Sequence, residues 1–416
     1  MANKLPSHQA AESSRFRLAA VYPYLCAIAL RFAMMSAFPR KFMGDAGDFH
    51  LLALNVAAGH GLSRCNSAPF IASTVRPPLY PLILGYLYKL GANPDYASIL
   101  LNGTCDLVSI GLIFQIAQTL KFSTVRYAPW IIALCPLLIT YGMYPTTENM
   151  SVTLFLAASL LMIRKKPGFS GLFWGLLSLC RSYYLLFPWA LALLRPIKSY
   201  GKKAYVTLAL ASLIAPAGWV IRNYQELHRF EFSQTSTAGW QSYLGIARAN
   251  FDWWKPTDLA DMFRHPVFSK MMASHCSQED ELKRLDGEAR ILVRKFIFEH
   301  PFEALRNVAI KTINLFANWG LLMPYDRVPY ILESTVNAIL CLYWFCAVRL
   351  IWRRKKLKGP HEEFLRFSLL NVLYIFLVTL PFSIDARYLL TAFLVLFLCV
   401  LEISKKPDEI FKAGLN

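Results

Sequence analysis

Apolar runs of roughly bilayer length recur along this chain, and short clusters of basic residues separate them. A helix needs about 20 apolar residues to cross the hydrocarbon core, and backbone in lipid must satisfy its own hydrogen bonds. A chain written this way is therefore expected to fold as α-helices. Composition agrees: 56% of residues are hydrophobic and 17% charged, against about 25% charged in soluble domains, and mean hydropathy is +0.37. The formal net charge of +18 would point to nucleic acid on a soluble protein. Here the basic residues fall between apolar runs, at Arg164-Lys165-Lys166, Lys202-Lys203, Arg353-Arg354-Lys355-Lys356 and Lys405-Lys406. Such clusters mark cytoplasmic loops, so membrane lipid, and no nucleic acid, is the expected surrounding.

The expected fold is all-α, a single polytopic domain over residues 1–416 with about ten transmembrane helices and outer juxtamembrane helices. Leu18–Phe38 is the first span, read as a signal anchor because no small-residue cleavage site follows it. A first outer loop occupies residues 39–96. Within it Phe49, Leu52, Ala53, Val56 and Ala57 repeat at amphipathic helical spacing, with Gly59 and Gly61 as the stop. A second short apolar segment ends near Leu90. Ala97–Thr119, Tyr127–Tyr144 and Glu148–Ile163 follow as spans, then two short segments, Phe169–Cys180 and Tyr183–Leu194, then Tyr205–Ile221. Residues 222–330 form a long outer segment. Inside it Phe302–Leu322 carries Arg306, Lys311 and Asn314 and is taken as interfacial, since a crossing there would put Arg353–Lys356 outside. The C-terminal helices, residues 331–404, are Ile331–Trp352, Phe364–Phe382 and Tyr388–Ile403. Both termini are then cytoplasmic, the expected location being the inner (cytoplasmic) membrane.

That topology gathers Asp45, Asp48, Glu148, Arg181, Arg222 and Arg387 on the outer side, each near the end of an apolar segment. Ionisable groups at membrane boundaries are costly to place without a role. A carboxylate at Asp45 has two readings. It can serve as a general base toward an acceptor hydroxyl or amine, or Asp45-x-x-Asp48 can be a capping box with Asp45 as N-cap. Arg181, Arg222 and Arg387 carry forked cations suited to phosphate oxygens, or snorkel from helix ends. Glu148 either positions a substrate or caps its helix. The histidines show no metal spacing, no metal site or cofactor is expected, and a divalent ion is left open. Asn102-Gly-Thr104 and Asn149-Met-Ser151 match the glycosylation sequon by chance, lying in or beside spans. Of the nine cysteines, only Cys65 and Cys276 fall in outer loops, either as two thiols or as a disulfide.

Several motifs occur in a familiar order. Gly44-Asp45-x-x-x-Phe49, Ala53-x-x-x-Ala57-x-Gly59-x-Gly61-Leu62-Ser63 and Arg76-Pro77-Pro78-Leu79-Tyr80-Pro81 occupy the first loop. Thr147-Glu148, Gly171-x-x-x-Gly175-x-x-x-Leu179-x-Arg181, Pro216-x-x-Trp219-x-x-Arg222-Asn223-Tyr224, Glu299-His300-Pro301 and Arg387-Tyr388 follow. This ordered set resembles the bacterial C-type (GT-C) glycosyltransferases, the polyprenyl- or dolichyl-phosphate-sugar-dependent enzymes of the protein mannosyltransferase and aminoarabinose transferase class. It departs from them in having Asp45-Ala46 where the mannosyltransferases have Asp-Glu, and in a shorter C-terminal part.

The resemblance implies an inverting glycosyltransferase acting on the extracytoplasmic face. It would move a sugar from a polyprenyl-phosphate donor to a glycan, lipid or protein acceptor. Asp45 would be the catalytic base with Asp48 in support, and Arg76, Tyr80, Glu148, Arg181, Arg222 and Arg387 would bind substrate. Two other classes use outer or intramembrane charge: a lipid-carrier-dependent glycan ligase or polymerase, and a lipid-linked sugar flippase or transporter. Inverted repeats, a mark of many transporters, are not visible in the sequence.

Overall fold

In the computed structural model, the described residues are 5–37, 44–232, 238–249, 279–317, 359–382 and 386–404, with a few isolated positions between them. Among them the fold is all-helical, with a single isolated bridge between Ser63 and Ala72. Three helical stretches are long and apolar enough to cross a membrane: Pro94–Thr119, Lys202–Leu227 and Arg387–Ser404. Val21–Ala37, Glu148–Ile163 and Ser182–Leu194 are shorter apolar helices. The expected span Ile331–Trp352, apart from Tyr343, Val348 and Arg349, lies outside the described residues, as do the basic run Arg353–Lys356 and Cys276.

Local chemistry sets the boundaries. Helix α1 (Leu5–Ala37) begins well before the expected span. The first loop folds as α2 (Gly44–Ala57) and α3 (Leu79–Lys89), and Gly59 and Gly61, both at positive φ, end α2 as the sequence predicts. Helix α4 (Pro94–Thr119) starts where the Asn93 side chain accepts from the Asp95 N–H, with Pro94 in the first turn.

The expected span Tyr127–Tyr144 is a correction: it breaks into α5 (Ala128–Ala133) and α6 (Pro136–Tyr141). Cys135 precedes a proline and is extended, at φ −65° and ψ 113°, because the proline ring disfavours helical geometry at the residue before it. Beyond α7 (Glu148–Ile163), α8 (Pro167–Ser178) and α9 (Phe187–Leu194), the expected span Tyr205–Ile221 is likewise interrupted. It forms α10 (Lys202–Ala211) and α11 (Ile214–Leu227). Pro216 has no N–H to return to the Ser212 carbonyl. The later elements are α12 (Ala238–Ala249), α13 (Glu279–Glu299), α14 (Pro301–Ala317), α15 (Pro360–Thr379) and α16 (Leu390–Ser404).

The Gly171-x-x-x-Gly175 motif has a packing role. A Cβ on Gly171 would come within 2.3 Å of the Leu208 carbonyl oxygen, and one on Gly175 within 2.6 Å of the Ser212 oxygen. The α8 and α10 backbones therefore touch along a small-residue seam, the arrangement by which helices approach closely in lipid. Behind it sits a core of aromatic rings, Phe155, Trp174, Tyr184, Phe187 and Phe367, all fully buried and meeting mostly edge-on or tilted at 5.0–6.4 Å, with Phe155 and Phe367 stacked at 6.0 Å. Tyr184 also bonds Asn371 at 3.3 Å and the Thr391 hydroxyl, and Tyr374 donates to the Tyr183 carbonyl. The residues just after Arg181 are thus tied to both α15 and α16.

Candidate functional site

Five elements converge on one cleft. Asp45 and Phe49 come from α2, Arg76 and Pro77 from the segment before α3, and Thr146, Thr147 and Glu148 from the start of α7. Cys180 to Tyr183 follow α8, and Arg387 and Tyr388 sit in a 3-10 turn, Ala386–Leu389, that opens α16. Each charged side chain is positioned by its backbone. Arg181 is fixed because its N–H bonds the Leu177 carbonyl at 2.7 Å, and the Leu79 N–H bonds the Leu179 carbonyl at 3.0 Å. Glu148 is the first residue of α7, where a carboxylate complements the helix dipole. The turn before it is held by Asn102, whose amide donates to the Tyr144 carbonyl at 2.7 Å.

The ionic geometry is a chain of shared arginines. Arg76 Nη2 lies 2.7 Å from Asp45 Oδ1 and 2.6 Å from Asp48 Oδ2. Arg387 reaches Asp45 Oδ2 at 2.7 Å through Nη2 and Glu148 Oε1 at 3.3 Å through Nη1. Arg181 Nη2 meets the same Glu148 oxygen at 2.6 Å. Behind the cleft, Arg64 Nη2 holds Asp48 at 2.9 Å. The lining therefore carries three guanidiniums against two carboxylates. The Nε of Arg181 is buried without a hydrogen-bond partner. Aromatic faces support the cations: Tyr388 lies 6.0 Å from Arg181 and 5.8 Å from Arg387, and Phe49 5.8 Å from Arg76.

The two lining carboxylates differ in access. The Asp45 side chain is 30% exposed and that of Glu148 only 1%. Asp45 can meet a molecule that enters the cleft, whereas Glu148 is a fixed counter-charge. Burial opposes ionisation of Asp45, yet Arg76 and Arg387 outweigh it and hold the carboxyl well below its usual range. Asp48 is lowered the same way, with Arg76 and Arg64 overcoming burial. Burial also disfavours the charge on Arg76, but Asp45 and Asp48 more than restore it and raise its pKa.

The sequence-derived residues divide accordingly. Asp45, Arg76, Glu148, Arg181 and Arg387 come together in the cleft. Asp48 stands behind it, gripping Arg76. The capping reading of the two aspartates is replaced, because both carboxylates go to arginines and Asp45 lies inside the first turn of α2. Tyr80 is fully buried behind Phe49, their rings edge-on at 5.7 Å, and does not line the cleft. Arg222 does not either: it bonds its neighbour Asn223 at 3.1 Å and lies over Trp219 on α11. Asn102 and Asn149 of the two sequons are fully buried, as their place in the spans implied. Cys65 is buried too. No group of three or more His, Cys, Asp or Glu able to hold a metal occurs among the described residues.

Sequence reasoning missed Arg64, for which nothing local signals a pairing with Asp48. It also missed a second ionic cluster, fully inside the helical bundle. Arg31 Nε on α1 bonds Asp106 Oδ2 on α4 at 2.5 Å, and Arg31 Nη1 donates to the Ala27 carbonyl at 3.1 Å. Asn149 on α7 donates to Asp106 Oδ1 at 2.8 Å and to the Leu138 carbonyl at 3.0 Å. Arg31 and Asp106 each interrupt an apolar run, a signal that marks them singly but not as a pair. Comparison with protein-family models, with curated proteins and with solved structures returns no match.

Proposed function

We propose that this chain is a membrane-embedded glycosyltransferase that moves a sugar from a polyprenyl-phosphate carrier to an acceptor outside the cytoplasmic membrane. The observation that supports it best is the cleft itself: a cation-rich, aromatic-backed pocket with one accessible carboxylate at its edge. In this reading about ten helices cross the bilayer, both termini are cytoplasmic, and the cleft faces outward. The ordered motifs of the first loop support the same assignment, since Asp45 and Arg76, which carry two of them, meet at 2.7 Å.

The reaction is a single displacement. An acceptor hydroxyl or amine attacks the anomeric carbon, and its proton passes to Asp45. The bond from that carbon to the phosphate oxygen breaks, and its electron pair leaves with the phosphate. Arg387 and Arg181 stabilise the charge that gathers there, with Arg76 beside them. Phosphate is a good leaving group and needs no general acid, so one accessible carboxylate is enough. Glu148 bridges the two arginines through one oxygen and so fixes their relative alignment.

Mass analysis of surface glycans tests this. Cells carrying the wild-type gene should show a sugar addition that is absent from cells without the gene and from cells carrying Asp45→Asn. Identical glycan masses in all three would remove the assignment.

A further inference from the structure

Resting on that reading, the geometry raises a problem that the reading alone does not solve. Asp45 is the proposed base, yet both of its oxygens are already bonded to guanidinium groups, Oδ1 to Arg76 and Oδ2 to Arg387, each at 2.7 Å. A carboxylate held between two cations has little affinity for an acceptor proton. Glu148 is bound in the same way, by Arg181 and Arg387 through a single oxygen. In this state the arginines that should bind phosphate spend their hydrogen bonds on the protein's own carboxylates.

We propose that the carrier phosphate displaces Asp45 from Arg387, so that Asp45 becomes a working base only after the lipid-linked donor has bound. Three features carry this. First, Arg387 is shared rather than dedicated: Nη2 serves Asp45 and Nη1 makes a longer, 3.3 Å bond to Glu148. Such a fork can turn to a phosphate, whose oxygens match it bidentately. Second, Arg181 keeps a buried Nε with no hydrogen-bond partner, so one donor of the cationic set remains open to a further acceptor. Third, Asp48 with Arg64 forms a separate anchor for Arg76, with four contacts of 2.6–3.1 Å among the three residues. That anchor keeps Arg76 in place while the Arg387 arm is handed over. The consequence is an order of events: donor first, acceptor activation second. Without the carrier, a water molecule in the cleft meets a base too weak to deprotonate it.

Competition between Asp45 and phosphate for the same guanidinium makes a counter-intuitive prediction for binding. The full-length chain in lipid nanodiscs would be titrated with polyprenyl phosphate, the spent carrier, and with the phosphate-free polyprenol of equal length. Wild type should prefer the phosphate. Asp45→Asn and Asp45→Ser, checked for wild-type elution and helicity, should bind polyprenyl phosphate at least about tenfold more tightly, the scale of one charge-assisted hydrogen bond released to the ligand. Asp48→Asn removes an equal charge but does not touch Arg387, and should change affinity by no more than about threefold, less than half of that hydrogen bond in free energy. Unchanged or weaker binding in both Asp45 variants overturns the displacement and leaves the donor assignment standing. Equal gains in the Asp45 and Asp48 variants also overturn it, because net charge alone would then explain them. No preference for polyprenyl phosphate over polyprenol in wild type brings down the donor reading itself.

Discussion

Two ionic clusters adjoin at the start of α7, through Asn149 and Glu148, and they are built on opposite plans. The interior one is closed in charge: Arg31 faces Asp106 and Asn149 takes the other carboxylate oxygen, although Arg31 Nη2 stays buried without a hydrogen-bond partner. Charge balances one to one, and neither residue lines the cleft. The outer one is open, with an excess of arginine, a carboxylate 30% exposed and bonds shared among several partners. A balanced pair locks helices together. An unbalanced, shared set leaves room for a further anion. Burial of charge alone therefore does not identify a site; the residual charge and the exchangeability of the partners do.

The largest expected effect belongs to the closed cluster. Arg31→Ala leaves Asp106 buried without its cation and should destabilise the protein by about 3–5 kcal/mol, read as thermal unfolding in detergent. Exchanging both residues, Arg31→Met with Asp106→Leu, should recover most of that loss. If the double variant stays as unstable as the single one, the interior pair is not simply a lock.

Next comes the open cluster. Asp45→Asn should fold, insert in the membrane and lose at least about 10²-fold in turnover, while Asp48→Asn retains measurable activity. Near wild-type transfer by Asp45→Asn, or a dead Asp48→Asn, would reverse their roles. Smaller again, Arg387→Ala should reduce kcat/KM for the donor by about 1–3 kcal/mol, with Lys restoring only part because it lacks the fork. Arg222→Ala, outside the cleft, should stay within about twofold, as surface changes usually do. Equal losses at 222 and 387 would mean that the cleft is wrongly drawn.

The smallest effect is one of pH. Asp45 and Asp48 are held below their ordinary values. Their pairing therefore contributes stability that is present above the unfolded pKa of about 3.9 and is lost only as pH falls through the lower folded values. Between pH 7 and about pH 5 these groups should leave the unfolding temperature flat. A fall in that range that disappears in Asp45→Asn would show the carboxylate to be held less tightly than its contacts imply.

Much of this was legible in the sequence, and the omissions have physical reasons. Glycines at 59 and 61 are local signals, so α2 ends close to where it is expected, whereas the cap at Asn93 was passed over and starts α4 three residues before the expected Ala97. Pro136 was equally local, but an apolar run of the right length hid the break it makes after Cys135. Asp45, Glu148, Arg181 and Arg387 stood out because each sits at the end of an apolar segment. The same signal misplaced Arg222, since the end of a helix does not say which way a side chain turns. Tyr80 lies in the right motif but packs inward behind Phe49. Pairings such as Arg64 with Asp48 or Arg31 with Asp106 depend on which helices become neighbours, and one sequence carries little trace of that.

One detail of α7 links the two clusters. Glu148 and Asn149 are consecutive, about 100° apart around the helix axis, and one looks into the cleft while the other holds Asp106. The start of α7 thus works as a reading frame. Shifting it by a single residue one way would present Asn149 to the arginines and Met150 to Asp106, and the other way Thr147 to the arginines and the Glu148 carboxylate to Asp106, so either shift spoils both clusters in one step. Insertions or deletions between Tyr144 and Glu148 should accordingly be far less tolerated than substitutions there.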